Sequence, residues 1–218
     1  AGAPGGGDGA ARRVHAIAGF AGSVWAAVSH PEAGFELWRA DPDGAPPFAW
    51  RQVLREGTWR FTVNKVVSAM IVHSDALWLG TAAPIDDPVE IGHNGPEILR
   101  VEANGDWEVV VGAPRFTPDG LKVPLAEWGP GFGDRRNAAI TLLSGGDGGL
   151  LACHQILDRS GAIPAHGGTA SFWAERDGEW SRIGGVEGAG PVTAACVAGG
   201  RLLVGLSAGA PGGPLAVF

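Results

Sequence analysis

The 218 residues suffice for one ordinary domain, and an apolar content of 45% supplies a real core, which argues against disorder. Lys and Arg number 16 against 23 Asp and Glu, giving a net charge of −7, and no basic stretch offers the footprint that a nucleic acid or an anionic bilayer surface would need. Glycine (37) and proline (16) are abundant enough to exclude long helices, so short strands joined by turns are expected.

Residues 1–11, AGAPGGGDGAA, have nothing to pack and are expected to form a flexible lead-in. A start without Met suits a trimmed chain and is compatible with export; the compartment itself is not assigned. Beyond it the chain repeats itself. Alternating apolar segments begin at RRVHAIAGF (12–20), NKVVSAMIVH (64–73), RNAAITLLSGG (136–146) and PVTAACVAGG (191–200). Each is followed at once by a second apolar run, SVWAAVS, DALWLGT, GGLLACH and GRLLVGL, a spacing that predicts hairpins. After a variable Gly- and Pro-rich stretch comes a third strand: FELWRAD (35–41), PEILRVE (96–102), ASFWAERD (170–177) and PLAVF (214–218). The first three units add a polar turn and a fourth strand carrying Trp50, Trp107 or Trp180.

The equivalent second-strand positions Trp25, Trp78, Leu151 and Leu203 are spaced by 53, 73 and 52 residues, a period near 52 with one insertion. Four short antiparallel strands at such a period predict an all-β chain, a β-propeller of four-stranded blades with about four repeat units and an incomplete last blade. The units run approximately 12–55, 64–111, 136–184 and 191–218, with the insertion at 112–135. A sandwich would also give short strands, but it has no reason to return the phrase E-[IL]-[WL]-R followed by (D/N)-G-x-W.

GFELWRADPDG, GPEILRVEANGDW and ASFWAERDGEW, with DALWLGT at 75–81 and GFGDRRNAAITLL at 131–143, carry a resemblance to a bacterial β-propeller repeat family with LWxGT, EIWR and DGxW blades. That family is loosely akin to kelch and Asp-box proteins. The resemblance implies a propeller and brings no agreed activity; the full Asp-box S-x-D-x-G-x-x-W is absent from all four units.

Trp25, Trp38, Trp50, Trp78, Trp107, Trp173 and Trp180 are expected to pack between neighbouring sheets, where one ring buries roughly 150–250 Å². Trp128, between units, is expected to be exposed and functional. Cys153 and Cys196 lie in apolar runs, so each is expected to be a small buried side chain without a disulfide. No C-x-x-C or H-E-x-x-H pattern occurs, and neither a metal nor a cofactor is expected. No 18-residue apolar stretch predicts a membrane-spanning segment.

Strand alternation sends the connections after second and fourth strands to one face, and these are the long ones: 29–34, 82–95, 111–135 and 154–168. The candidate ligand-binding residues on that face are Asp86, Asp87, Glu90, His93, Trp128, Asp134, Arg135, His154, Asp158 and His166. Such an acid, imidazole and guanidinium set can bind a divalent ion, orient a sugar or move protons. The plainer alternative makes Asp86 and Asp87 a turn before Pro88, and His93 a turn residue before Asn94-Gly95. His154 ends a strand, with its ring toward a central channel. No serine stands in a G-x-S-x-G elbow.

The expected function is a non-catalytic recognition module that binds a protein partner or a glycan through the long-loop face. One alternative is a hydrolase or lyase with a metal or acid/base site at the channel mouth. The other is a structural subunit, its open last blade completed by a partner or a second copy.

Overall fold

In the computed structural model the described residues are 13–43, 46–83, 95–134, 136, 138–146, 149–157, 168–206 and 215–217. They form an all-β, propeller-like succession of antiparallel meanders. The first sheet contains β1 (Arg13–Phe20), β2 (Ser23–His30), β3 (Gly34–Ala40) and β4 (Trp50–Leu54). The second contains β5 (Val66–His73), β6 (Ala76–Ala83), β7 (Ile98–Val101) and β8 (Trp107–Val111). A hairpin of β9 (Arg115–Thr117) and β10 (Gly120–Lys122) follows, then the third sheet of β11 (Ala138–Gly146), β12 (Gly149–Ile156), β13 (Gly168–Arg176) and β14 (Glu179–Ala189). It is continuous with the second: β11 pairs with β6, Ala138 opposite Ala83 and Ala139 opposite Ala82, so the two make one eight-stranded sheet. The last sheet is β15 (Val192–Ala198), β16 (Arg201–Leu206) and β17 (Leu215–Val217).

The side-chain alternation of each second strand divides its residues between two cores. On β6, Leu77 and Leu79 pack with Trp25, Phe35, Leu37 and Trp107 between the first and second sheets. Ala76 and Trp78 instead face Ile140, Leu150, Trp173 and Trp180 of the third sheet. On β12, Leu150 and Ala152 belong to that second core, and Leu151 and Cys153 pack with Phe172, Val192, Leu202 and Val204 toward the last sheet. A strand covered on both faces has no polar side, which is why every residue of β6 is buried. Trp25, Trp78, Trp107, Trp173 and Trp180 are buried, whereas Trp38 and Trp50 are half-buried. Trp25 and Trp78 also close their hairpins, each indole N–H donating to the carbonyl five residues back, of Phe20 (3.0 Å) and His73 (3.1 Å).

All four first strands carry a bulge at the same register. The shift falls between Val14 and Ala16, Val67 and Ala69, Ile140 and Leu142, and Val192 and Ala194. The residues opposite its start are Val28, Thr81, His154 and Leu206. The additional residue can return its side chain to the ladder: the hydroxyls of Ser68 and Thr193 donate to the carbonyls of Gly80 and Gly205, both at 3.2 Å.

The insertion is structured: besides β9 and β10, residues 125–128 return along β8, with Leu125 N–H donating to Val109 O, Ala126 N–H to Val110 O and Gly112 N–H to Trp128 O, each at 3.0 Å. Cys196 is exposed rather than buried, because β15 is covered on one face only; it and Cys153 are free thiols. Among the described residues no helix is long and apolar enough to cross a membrane.

Candidate functional site

Thr81 and His154 occupy the same register of their strands, and the residues across from them are Glu97, immediately before β7, and Ser171 of β13. The second and third sheets therefore each carry a polar group at the end of the sheet from which the long connections leave. In each, the connection from the preceding sheet folds over the group through a run of left-handed residues. In the short helix α1 (Glu56–Trp59) these are Glu56, Gly57, Thr58 and Trp59, at φ 55°, 56°, 57° and 62°. In the 3-10 turn Pro130–Gly133 they are Gly131, Phe132 and Gly133, at φ 61°, 57° and 86°. Thr58 and Phe132, one in each run, are buried.

The polar group of the second sheet is closed. Glu97 is fully buried, and its carboxylate accepts from Asn64 Nδ2 (2.6 Å), Ala113 N–H (2.9 Å) and Arg115 Nη1 (2.7 Å), with Arg60 Nη1 at 3.3 Å. Arg115 also donates to Thr58 Oγ1 (2.9 Å), and Arg60 to Gly95 O (3.0 Å). Burial holds the Arg60 guanidinium below its usual pKa, partly offset by Glu97. With its acceptor sites occupied, Glu97 joins chain segments and offers no vacant oxygen to a substrate.

The corresponding position of the third sheet is open. A cleft of about 230 Å³ is lined by Gly131, Phe132, Asp134, Arg136, His154, Ile156, Thr169, Ser171, Trp173 and Arg182. His154 is 3% exposed, and its Nε2 has no hydrogen-bond partner among the described residues. Ser171 Oγ lies 3.4 Å from His154 Nδ1 and accepts the indole N–H of Trp173 at 3.0 Å. Burial pushes the imidazole pKa down to about 4, with Asp134 opposing and Arg136 reinforcing the shift. The ring is consequently neutral near pH 7. In one tautomer Nε2 holds a lone pair and in the other an N–H, and the Ser171 hydroxyl can serve Nδ1 in either.

Asp134 binds Arg136 through three contacts of 2.6–3.2 Å, and that hydrogen-bonded guanidinium holds the Asp134 carboxyl below the usual range despite partial burial. Arg182 has no ion-pair or hydrogen-bond partner among the described residues. The aromatic wall is tightly filled. Phe132 stacks on Trp173 at 4.1 Å and 5°, Trp128 meets Trp173 edge-on at 4.9 Å, and Phe132 contacts Trp180 at 5.5 Å.

Of the sequence-derived candidates, Asp134 and His154 come together in this cleft, with Trp128 behind its aromatic wall. Trp128 is 36% exposed, but its ring packs on Trp173 and its indole N–H donates to Trp180 O at 3.2 Å, so it buttresses the wall. Asp86, Asp87, Glu90, His93, Arg135, Asp158 and His166 lie outside the described residues. Among the described residues no group of three or more His, Cys, Asp or Glu could hold a metal ion. Sequence reasoning missed Ser171, Thr169, Arg182 and the Glu97 cluster. Aligning the repeat phrase residue by residue would have flagged Glu97 and Ser171, which share its first position.

No family model and no curated protein matches the chain. Among solved structures it is similar to an exo-1,5-α-L-arabinanase from a bovine ruminal metagenomic library, at 12% identity and a TM-score of 0.43, over 92% of this chain and 71% of that one. The matched protein is an enzyme, and the expectation of a non-catalytic recognition module is accordingly withdrawn. Similarity at that level transfers no substrate to this chain.

Proposed function

We propose that the chain is a hydrolase or lyase whose acid/base site is the cleft around His154. The observation that carries this reading is the buried, unpartnered Nε2 of His154, which lines a cleft of about 230 Å³ together with Asp134 and Ser171. A polar atom left without a partner costs about 1–3 kcal/mol, and a substrate proton or oxygen at Nε2 would recover that cost. In this reading the neutral His154 takes a substrate proton at Nε2 and returns it to the leaving group or product in a later step. Ser171 steadies Nδ1, and the Asp134–Arg136 pair sets the local field. The four sheets are taken as blades of a propeller, four in this chain, with the linkers at 55–65 and 112–137 delivering residues to one end. That placement explains why the site combines a strand residue, His154, with a linker residue, Asp134.

The test is turnover by the full chain on a panel of aryl glycosides, aryl esters and uronate-containing oligosaccharides, reading phenolate release and the absorbance of unsaturated products. His154→Gln should lower kcat/KM by at least about 100-fold, the size of a general acid/base contribution. The reading fails if wild type turns over none of the panel, or if the variant stays within a few-fold of wild type.

A further inference from the structure

Among the described residues the charges of the cleft do not cancel. Asp134 and Arg136 neutralise one another at contacts of 2.6–3.2 Å, and burial keeps His154 uncharged near pH 7. The guanidinium of Arg182 remains. It lines the cleft without an ion-pair or hydrogen-bond partner among the described residues, although it belongs to β14, a strand whose other side chains could have supplied one.

Its placement depends on a missing side chain. Gly185 sits directly across the ladder from Ser171, and a Cβ on Gly185 would come within 2.5 Å of Arg182 Nη2. Glycine at 185 therefore lets the guanidinium lie back along β14 toward the Ser171 and His154 end of the cleft. Thr169, on the neighbouring β13, lines the same cleft and has no side-chain hydrogen bond among the described residues. A planar cation, a hydroxyl and an imidazole nitrogen, each without a side-chain partner of its own among the described residues, thus line one space. Trp173 is buried with Phe132 stacked on one face, so it offers little ring surface for stacking a neutral sugar.

We propose that the His154 cleft takes a substrate bearing a small oxyanionic group, a carboxylate or a phosphate, held by Arg182 with Thr169 as a second donor. This rests on the acid/base reading of the same cleft and names the class of substrate it would take. Arg182 is exposed and solvated, and its guanidinium fork matches either anion in a bidentate way, a charge-assisted pairing that a neutral hydroxyl cannot offer.

Calorimetric titration of the full chain with D-glucuronate, inorganic phosphate and D-glucose tests it. Glucuronate or phosphate should bind, whichever does so identifying the anion, and glucose should not. Arg182→Gln should weaken binding about 10-fold or more, the scale of one charge-assisted contact. Gly185→Ala keeps the charge but displaces the guanidinium and should also weaken binding. Arg201→Gln, which removes an exposed cation on β16, should leave it unchanged. Equal binding of glucose and glucuronate, absence of binding by both anions, or unaltered affinity in Arg182→Gln would overturn the proposal. His154→Gln separates the two ideas: retained anion binding with lost turnover supports both. Retained turnover with Arg182-dependent binding removes only the acid/base role, and His154-dependent turnover without anion binding removes only the oxyanion.

Discussion

His154 shows how one side chain can couple chemistry to stability. In an unfolded chain its ring ionises near 6.5, whereas the desolvated ring in the fold does so at about 4. Between those values the unfolded chain binds a proton that the folded one refuses. Stability is therefore full above pH 6.5, falls as the pH drops toward 4, and levels off below, a loss of about 3 kcal/mol in all. Asp134, held low by Arg136, acts in a separate window, its contribution disappearing only as the pH falls below the ordinary Asp value of 3.8. His15, whose pKa burial and Arg13 also lower, adds a fall of the same sign as His154. Urea midpoints at pH 7.5 and 4.5 should show a markedly smaller difference in His154→Gln than in wild type, with the His15 portion retained. An identical difference in both proteins would refute the assignment. The sequence marked His154 only as a histidine at a strand end. Its partners were not visible there, because Ser171 and Asp134 reach it from a neighbouring strand and from a linker 17 and 20 residues away in sequence.

At the scale of the element, strands were legible and turns were not. Alternation and the short polar turns identified the hairpins of β1–β2, β5–β6 and β15–β16, because half-buried ribbons need a period of two. The linker PGFGD looked like any glycine-rich loop, yet its conformation builds the cleft. Gly131 has φ 61°, and a Cβ there would meet His154 Nε2 at 3.2 Å. Gly131→Ala combines an unfavourable left-handed alanine with a crowded imidazole and should cost about 1–2 kcal/mol. The loss should appear in the urea midpoint, and the His154 ring signal should shift in an NMR spectrum. A variant as stable as wild type with an unshifted ring would show that the turn tolerates a side chain. The repeated bulge was also hidden in the sequence, since its additional residues, His15 and the hydroxyl-bearing Ser68, Thr141 and Thr193, look like the ordinary polar positions of an alternating strand.

Across the whole molecule, Glu97 does what no single sheet can. It receives hydrogen bonds from the linker after the first sheet through Asn64, from the chain after β8 through Ala113, and from β9 through Arg115. Glu97→Gln preserves shape while removing the charge that Arg60 and Arg115 oppose, so two buried guanidinium groups lose their counter-ion. The expected destabilisation is about 3–5 kcal/mol, measured by urea unfolding; a change below about 1 kcal/mol would mean that the arginines find other partners. Composition and charge could not reveal this hub, because Glu97, Arg60 and Arg115 resemble surface charges until the chain closes over them. The fourfold bulge has its own consequence. Because each sheet sets its hydrogen-bonding phase with an identical offset, one meander could be exchanged for another by recombination and still enter the ladder in step. Point substitutions could then specialise a copy, as the contrast between the sealed carboxylate of one sheet and the vacant imidazole of the next illustrates.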